Sequence, residues 1–351
     1  MYLGIETSCD ETAAAVVASD GRVLSNIIYS QIDLHRAYGG VVPELASRAH
    51  VQKLPGVVDA ALCEAGVDWR DITAIAVTRG PGLATALLTG VAYARGLAQR
   101  LEVPLFGVNH LVGHLHSIAL AAGQPAAELA YPHLVLLVSG GHTCLVRRDS
   151  LTAWTVLGQT VDDAAGEALD KGARLLGLGY PGGPEIEKTA RGGRTDAIRF
   201  PRGHAQTGAD GWLFPFTYSG LKTSLLYHLR KHPDDMQESR LPDTTASFQE
   251  AVVDTLVTRM EQALRVTPAR LIGCGGGVAR NQRLREKLGH LAARHGLPIR
   301  FAEPAFCADN AAMIAAAAMA CYAPLSPSGT PVDVDPNLSL TAPLIASTAS
   351  V

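Results

Sequence analysis

"YLGIETSCDETAAAVVASDGRVLSN" (2–26) decides the fold, because its grammar returns at "HLVLLVSGGHTCLVRRDSLTAWTVLG" (133–158). Each stretch reads strand, polar turn, strand, turn, strand. The parallel continues downstream. "ITAIAVTRGPGLATALLTGVAYARGLAQRLEVPLFGVNHLVGH" (72–114) reads strand, glycine turn, long helix, strand, new helix, and "ARLIGCGGGVARNQRLREKLGHLAARHGLPIRFAEPAFCADNAAM" (269–313) reads the same way. A repeat this long is a duplicated α/β unit and not a short-period solenoid. Strands alternating with helices predict a mostly parallel central sheet in each half. Two such lobes facing each other leave a cleft that strand ends and glycine turns point into. The expected lobes are 1–108 plus 308–323 and 109–307, the second carrying a helical insertion at about 162–260. The stretch 324–351, rich in Pro, Ser and Thr, is expected to be an extended or mobile tail without a core of its own.

Composition narrows the class. With 351 residues, 47% hydrophobic and 18% charged, the chain is long enough for two cores and too apolar for disorder. The longest apolar run, 311–323, is shorter than the roughly 20 residues of a membrane helix. "MYLGIETSCDET" offers no basic segment before an apolar core, which suits a cytoplasmic protein without a signal peptide. Six scattered cysteines with no CxxC pair read as free thiols. A net charge of −3 does not announce a nucleic-acid binder. Arginine outnumbers lysine 24 to 6, with clusters at "RGGRTDAIRFPRG" (191–203) and "ARNQRLREK" (279–287). Those clusters suit phosphate forks, or are plain solvated faces.

"NHLVGHLHS" (109–117) holds three histidines. On a helix, His110 and His114 share a face and His116 points nearly the opposite way. The i, i+4 pair is half of a metal site or simply a packed pair. The duplication supplies a third ligand, since the helix start equivalent to His110 falls at Asp309 in the second half. Pseudo-symmetry would bring the two helix starts together across the cleft, giving a His, His, Asp set for a divalent cation such as Fe(2+) or Zn(2+). Asp309 is also a good helix N-cap before "NAAMIAAAAMA". "VSGGHT" (138–143) is either an anion-binding turn or a plain hairpin turn. "GCGGGVARN" (273–281) is neither a Walker A loop nor a GxGxxG fingerprint; its glycines let a nucleoside approach bare backbone, with Asn281 in reach. "ETSCDET" (6–12) crowds Glu6, Asp10 and Glu11 into one strand turn, and Asp170 sits on the helix that opens at "DDAAGEALDKGARLLGLGYPGG" (162–183).

Together these stretches resemble the tRNA N6-adenosine threonylcarbamoyltransferase family, once labelled O-sialoglycoprotein endopeptidase. The matching pieces are "GIETSCDETAAAV" (4–16), "YGGVVPELASRAH" (38–50), "GPGL" (80–83), "NHLVGHLHS" (109–117), "LVSGGHT" (137–143), "DDAAGEALDKGARLLGLGYPGGPEIE" (162–187), "SGLKTS" (219–224), "GCGGGVARNQRLR" (273–285) and "CADNAAMIA" (307–315), in family order. The resemblance implies the two-lobed actin/hexokinase/heat-shock ATPase-like fold. It implies metal ligands at His110, His114 and Asp309, Fe(2+) favoured and Zn(2+) possible. It implies adenine-nucleotide contacts at Leu137, Val138, Ser139, Gly140, Gly141, Asp170, Gly183, Glu187 and Asn281, where threonylcarbamoyl-AMP, ATP, ADP or AMP would sit. The implied reaction is transfer of threonylcarbamoyl from threonylcarbamoyl-AMP to N6 of the adenosine 3′ of the anticodon in tRNAs reading ANN codons. The implied partners are tRNA, a smaller paralogous subunit of the same fold and a P-loop ATPase, with no membrane. Asp10 and Glu11 are the candidate catalytic proton acceptors.

Three other readings compete. A non-catalytic binding subunit would be expected to lack the metal pair, which this chain has. A small-molecule carbamoyltransferase on the same scaffold would use the same ligand set. A zinc metallopeptidase would need Glu directly after the first histidine, as in H-E-x-x-H, where this chain has Leu111.

Overall fold

The computed structural model describes residues 1–203, 211–322, 333–342 and 344. It divides into two compact units: Met1–Leu129 with the described residues from Ala302 onward, and Ala130–Phe301. In the first unit the sheet comprises β1 (Tyr2–Glu6), β2 (Glu11–Val17), β3 (Val23–Ser30), β4 (Ala74–Gly80) and β5 (Leu105–Asn109), in the order β3-β2-β1-β4-β5. Its helices are α1 (Ile32–Arg36), α2 (Pro43–Ala65), α3 (Ala84–Leu101) and α4 (His110–Ser117), joined late in the chain by α10 (Pro304–Cys307) and α11 (Ala311–Cys321). The second unit's strands are β6 (His133–Val138), β7 (Thr143–Arg148), β8 (Trp154–Gln159), β9 (Ile272–Gly275) and β10 (Ile299–Phe301). Their order is β10-β9-β6-β7-β8, the first sheet's order read from the opposite edge, so the duplication is real.

The sheets are mixed, not mostly parallel. β1–β2 and β2–β3 pair antiparallel, as do β6–β7 and β7–β8; only β1–β4, β4–β5, β6–β9 and β9–β10 are parallel. The reason is connection length: short polar turns join the first three strands of each unit, and tight turns can only fold a strand back on its neighbour. Helical crossovers supply the parallel pairs.

Alternation along β1 places the first unit's two layers. Leu3 and Ile5 point into a core with Val57, Val58 and Ala61 of α2 and Val91 and Ala94 of α3. Gly4 points the other way, where a Cβ would come within 2.2 Å of the Ala311 carbonyl oxygen of α11. The alanine-rich α11 is thus apolar all round because it is buried against the sheet on one side and against α4 on another.

The lobe boundaries differ from those expected. α4 leaves the end of β5 and packs on α11, so the chain stays in the first unit until Leu129 and not merely to 108. The return comes at Ala302, before 308, because Asn26 Nδ2 donates to the Ala305 carbonyl and Glu303 accepts from the Ala122 N–H. The helical insertion is present between β8 and β9 as α5 (Ala165–Leu175), α6 (Gly182–Thr189), α7 (Ser219–Lys231) and α8 (Leu241–Val266). The described part of the expected tail is not a loose end. Asp335 N–H donates to Arg79 O, Gly82 N–H to Pro336 O and Asn109 Nδ2 to Ser339 O, with Leu338 and Leu340 buried. The rest of 324–351 lies outside the described residues.

The basic run at 279–287 is partly structural. In α9 (Gln282–Arg294), Arg283 Nε and Lys287 Nζ reach Glu250 of α8 at 2.7 and 2.5 Å, and Lys287 also pairs with Asp254. All six cysteines are free. Among the described residues no helix is long and apolar enough to cross a membrane.

Candidate metal centre and nucleotide-binding turns

The helix carrying the histidines starts where β5 ends, and its start is fixed by Asn109. The Asn109 side chain accepts from the Leu111 and Val112 N–H groups, and the Asn109 backbone N–H donates to the Tyr322 hydroxyl. This cap sets the first turn, so His110 and His114 fall on one face. Their rings meet edge to face with centroids 4.7 Å apart. Gly113 faces α11 between them. A Cβ there would lie 2.9 Å from Ile314 Cδ1 and 3.0 Å from Met313 Cγ, so the bare glycine permits the close approach that brings Asp309 to the histidines. Gly113→Val is expected to cost about 2 kcal/mol by overpacking. It should also loosen metal binding; urea unfolding and metal titration of the same variant check both effects.

His114 Nε2 lies 3.1 Å and His110 Nε2 3.4 Å from one oxygen, Asp309 Oδ1. One ligand atom from each residue lies within 4.8 Å of the others. All three belong to the first unit, so they do not meet across a cleft between lobes as pseudo-symmetry suggested. The physical reason is the late return of the chain, which lays α11 beside α4. Nor is Asp309 the N-cap of α11. That task falls to Asn310, whose side chain accepts from Met313 N–H, leaving the Asp309 carboxylate to face the histidines.

The donor set fits a divalent cation. On the far side of His110, Glu6 Oε2 lies 3.0 Å from Nδ1. An ionised carboxylate only accepts, so the proton of a neutral His110 sits on Nδ1 and the Nε2 lone pair faces another carboxylate. Two lone pairs in opposition need a proton or a metal between them. Burial alone would lower the His110 pKa, but the charges of Asp309 and Glu6 hold it well above the usual value. Asp309, against its own burial, is held well below the usual carboxylate range by His110 and His114. Two imidazole nitrogens and one carboxylate oxygen suit Zn(2+) or Fe(2+).

The acidic turn between β1 and β2 lies in the same unit. Burial, then the charges of Asp10 and Asp309, push the Glu11 carboxyl well above its usual range. A buried network pins this turn from behind. His50 Nε2 lies 2.9 Å from the Cys9 carbonyl oxygen and its Nδ1 2.8 Å from Thr12 Oγ1, and Gln31 N–H donates to Asp10 O. Neither His50 nor the Glu6–His110 contact was singled out by sequence pattern. The only signal was the crowding of "ETSCDET".

The expected nucleotide contacts all lie in the second unit. Leu137 and Val138 end β6, with Leu137 paired to Gly275 of β9. Ser139 closes a tight turn, its N–H donating to His142 O and its Oγ accepting from His142 N–H. Gly140 and Gly141 face open space, where added side-chain carbons would meet nothing. Gly276, at φ +91°, packs so closely under this turn that a Cβ would lie 2.4 Å from Val138 O. Asp170 of α5 accepts from Gly182 N–H at 2.7 Å, which seats it at the start of α6 beside Gly183. Glu187 of α6 lies 3.3 Å from the Gln282 N–H, at the start of α9. Asn281 caps α9 through Leu284 N–H and donates to Gln249 Oε1 at 2.9 Å. The structure therefore brings Asp170, Gly183, Glu187 and Asn281 to neighbouring helix starts, with β6 and β9 carrying the glycine turns.

The family model described as tRNA N6-adenosine threonylcarbamoyltransferase matches residues 22–316. A relative of that name from Magnetococcus marinus is 50% identical over 323 residues, 90% of each chain. Another from Syntrophotalea carbinolica is 46% identical over 344 residues, 98% of this chain and 97% of its own. Among solved structures, component A of (R)-2-hydroxyglutaryl-CoA dehydratase from Acidaminococcus fermentans has a TM-score of 0.52 at 15% identity, covering 91% of this chain and 97% of that one. Full-length HypF in its phosphate- and nucleotide-bound form has a TM-score of 0.57 at 12% identity, covering 91% of this chain and 45% of that one. Identity this low speaks for the fold alone, the duplicated α/β fold of the actin/hexokinase/heat-shock ATPase type. The sequence match over most of the chain carries more: this protein belongs to the tRNA N6-adenosine threonylcarbamoyltransferase family and is a transferase of the kind that modifies tRNA.

Proposed function

We propose that the protein moves the threonylcarbamoyl group from threonylcarbamoyl-AMP to N6 of the adenosine 3′ of the anticodon in tRNAs reading ANN codons. The observation that carries this reading is the convergence of His110, His114 and Asp309 at one point in a member of this family. A divalent metal held there, Fe(2+) by preference with Zn(2+) as the second choice, would act as a Lewis acid toward the oxygens of the acyl group. The other steps belong to the chain. At the tip of the Leu137–Gly141 turn, Gly140 and Gly141 offer backbone N–H groups to the AMP phosphate, and Asp170 and Asn281 suit its ribose. Gly183 leaves room at a helix start, and Glu187 borders the same ground.

The N6 amine is a poor nucleophile because its lone pair is delocalised into the purine ring. Its attack forms the N6–carbonyl bond, breaks the bond between that carbon and the phosphate oxygen, and releases AMP. The amine proton passes to a carboxylate, and the turn at Asp10 and Glu11 supplies one. Burial and neighbouring charge raise the proton affinity of Glu11. The target base must be splayed from the anticodon loop to react. We assign tRNA as the nucleic-acid partner and, from the family resemblance, a smaller subunit of the same fold and a P-loop ATPase as protein partners, all in the cytoplasm.

The test is transfer of labelled threonylcarbamoyl from threonylcarbamoyl-AMP to unmodified tRNA, with partner proteins added one at a time. Label in tRNA that depends on this chain and on an ANN-reading anticodon supports the reading. Label in a small-molecule acceptor with none in tRNA overturns it in favour of a carbamoyltransferase.

A further inference from the structure

Glu6 is the last residue of β1 and is fully buried. Its Oε1 accepts from Ser8 N–H at 2.5 Å; its Oε2 accepts from Thr78 Oγ1 at 2.5 Å and lies 3.0 Å from His110 Nδ1. Thr78 belongs to β4, the parallel neighbour of β1 through Ile5↔Val77. Glu6 is thus anchored on the central strand of the sheet and its parallel neighbour while His110 arrives on the helix that follows β5.

A carboxylate in such a place needs a reason, since burying a charge is costly unless it is paired and hydrogen-bonded. A purely structural ion pair would be one. The geometry points further, because the contact falls on the ring nitrogen facing away from Asp309. It leaves the opposite nitrogen, Nε2, aimed at the oxygen that His114 also faces. His114 has no matching orienter: its buried Nδ1 has no hydrogen-bond partner among the described residues. The two histidines are therefore held differently, and only His110 is locked by a carboxylate on the sheet.

We propose that Glu6 is a positioning residue for the metal centre, holding the His110 proton on Nδ1 and its Nε2 lone pair on the metal side. This rests on the metal reading given above. Carboxylates behind ligating histidines fix the tautomer and raise ligand basicity, and removing one typically weakens metal affinity about 10- to 100-fold. Thr78 contributes at one remove, by orienting Glu6.

The test titrates the metal-stripped full-length protein with Co(2+) and Zn(2+) and follows binding by the cobalt absorption spectrum and by competition with a chromophoric chelator. Glu6→Gln should raise Kd about 10- to 100-fold and alter the cobalt spectrum, while thermal unfolding of the metal-free protein stays cooperative. Thr78→Val, which touches no ligand, should weaken binding by a smaller factor. Glu6→Asp, which restores the charge but not the reach, should recover only part of the affinity. Nitrogen-15 chemical shifts of His110 in the zinc form should report a protonated Nδ1 in both proteins, with the signal of that hydrogen-bonded N–H displaced in Glu6→Gln as its charged acceptor is lost. If the wild type binds neither ion, the metal reading fails and this inference falls with it. If the wild type binds and Glu6→Gln binds within threefold of it, Glu6 is structural and only this inference fails. If Glu6→Gln does not fold, Thr78→Val decides: wild-type affinity there overturns the proposal.

Discussion

His110→Ala combined with His114→Ala is expected to abolish stoichiometric binding of divalent metal and to lower threonylcarbamoyl transfer by about a thousandfold or more, with the fold retained. The magnitude follows from what a Lewis acid supplies to a developing oxyanion, several kcal/mol, each 1.4 kcal/mol or so being tenfold in rate. Removing both imidazoles leaves Asp309 as the sole ligand of the three, and one carboxylate does not hold a transition metal against water. The fold should survive because α4 is anchored by other side chains. Leu111, Val112 and Leu115 are buried, and the Asn109 cap does not involve the imidazoles. Glu6 and Asp309 lose their shared counter-charge, so each should take up a proton more readily and the variant should be less stable than the wild type. Metal content by elemental analysis, far-ultraviolet circular dichroism and the tRNA transfer assay separate these effects. A folded, metal-free double variant that transfers at the wild-type rate would remove the metal from the mechanism.

Much of this centre is legible in the amino-acid sequence, and the parts that are not share a cause. The i, i+4 spacing of His110 and His114 is local, so helical periodicity reveals it. Asp309 was found through the duplication, although the route was wrong: the two helix starts meet inside one unit and not across two lobes. The capping role considered for Asp309 belongs to Asn310, one residue on, a difference that residue preferences at helix starts do not resolve. Glu6 could not be paired with His110 by any local rule, since 104 residues separate them and only the sheet order makes them neighbours. The docking of 333–342 was hidden for the opposite reason. Its composition is that of a solvated end, yet its contacts are mostly backbone hydrogen bonds to Arg79 and Gly82, which composition does not report. In the second unit the glycine turns were visible as glycine, but their support, such as Gly276 lying under Val138, depends on strand register.

Acidification from pH 7 to pH 4 is expected to strip up to about 3 kcal/mol from the second unit through one residue, His133, at the start of β6. Its side chain is fully buried. Nδ1 lies 2.9 Å from the Ala130 carbonyl oxygen, which fixes the proton there, and Nε2 has no hydrogen-bond partner among the described residues. Protonation would therefore create a buried N–H without an acceptor. Arg148, its cross-strand partner in register, adds a like charge. Burial first and Arg148 second outweigh the Ala130 carbonyl and carry the His133 pKa from an ordinary 6.5 down to about 4. The unfolded chain takes up a proton as the pH falls through 6.5, whereas the folded chain stays neutral until about 4. Stability from this group is thus complete above pH 6.5 and is lost progressively between 6.5 and 4, at about 1.4 kcal/mol per pH unit. Carboxylates elsewhere titrate in the lower part of that window, so the measurement is a difference. Urea unfolding of wild type and His133→Leu is compared at pH 7, 5.5 and 4.5. The leucine variant loses the carbonyl hydrogen bond and should be the less stable at pH 7, and the gap should close or reverse by pH 4.5 as the histidine's advantage disappears. A gap that stays constant across the range would mean that His133 titrates normally in the folded protein and that its burial carries no pH-dependent cost.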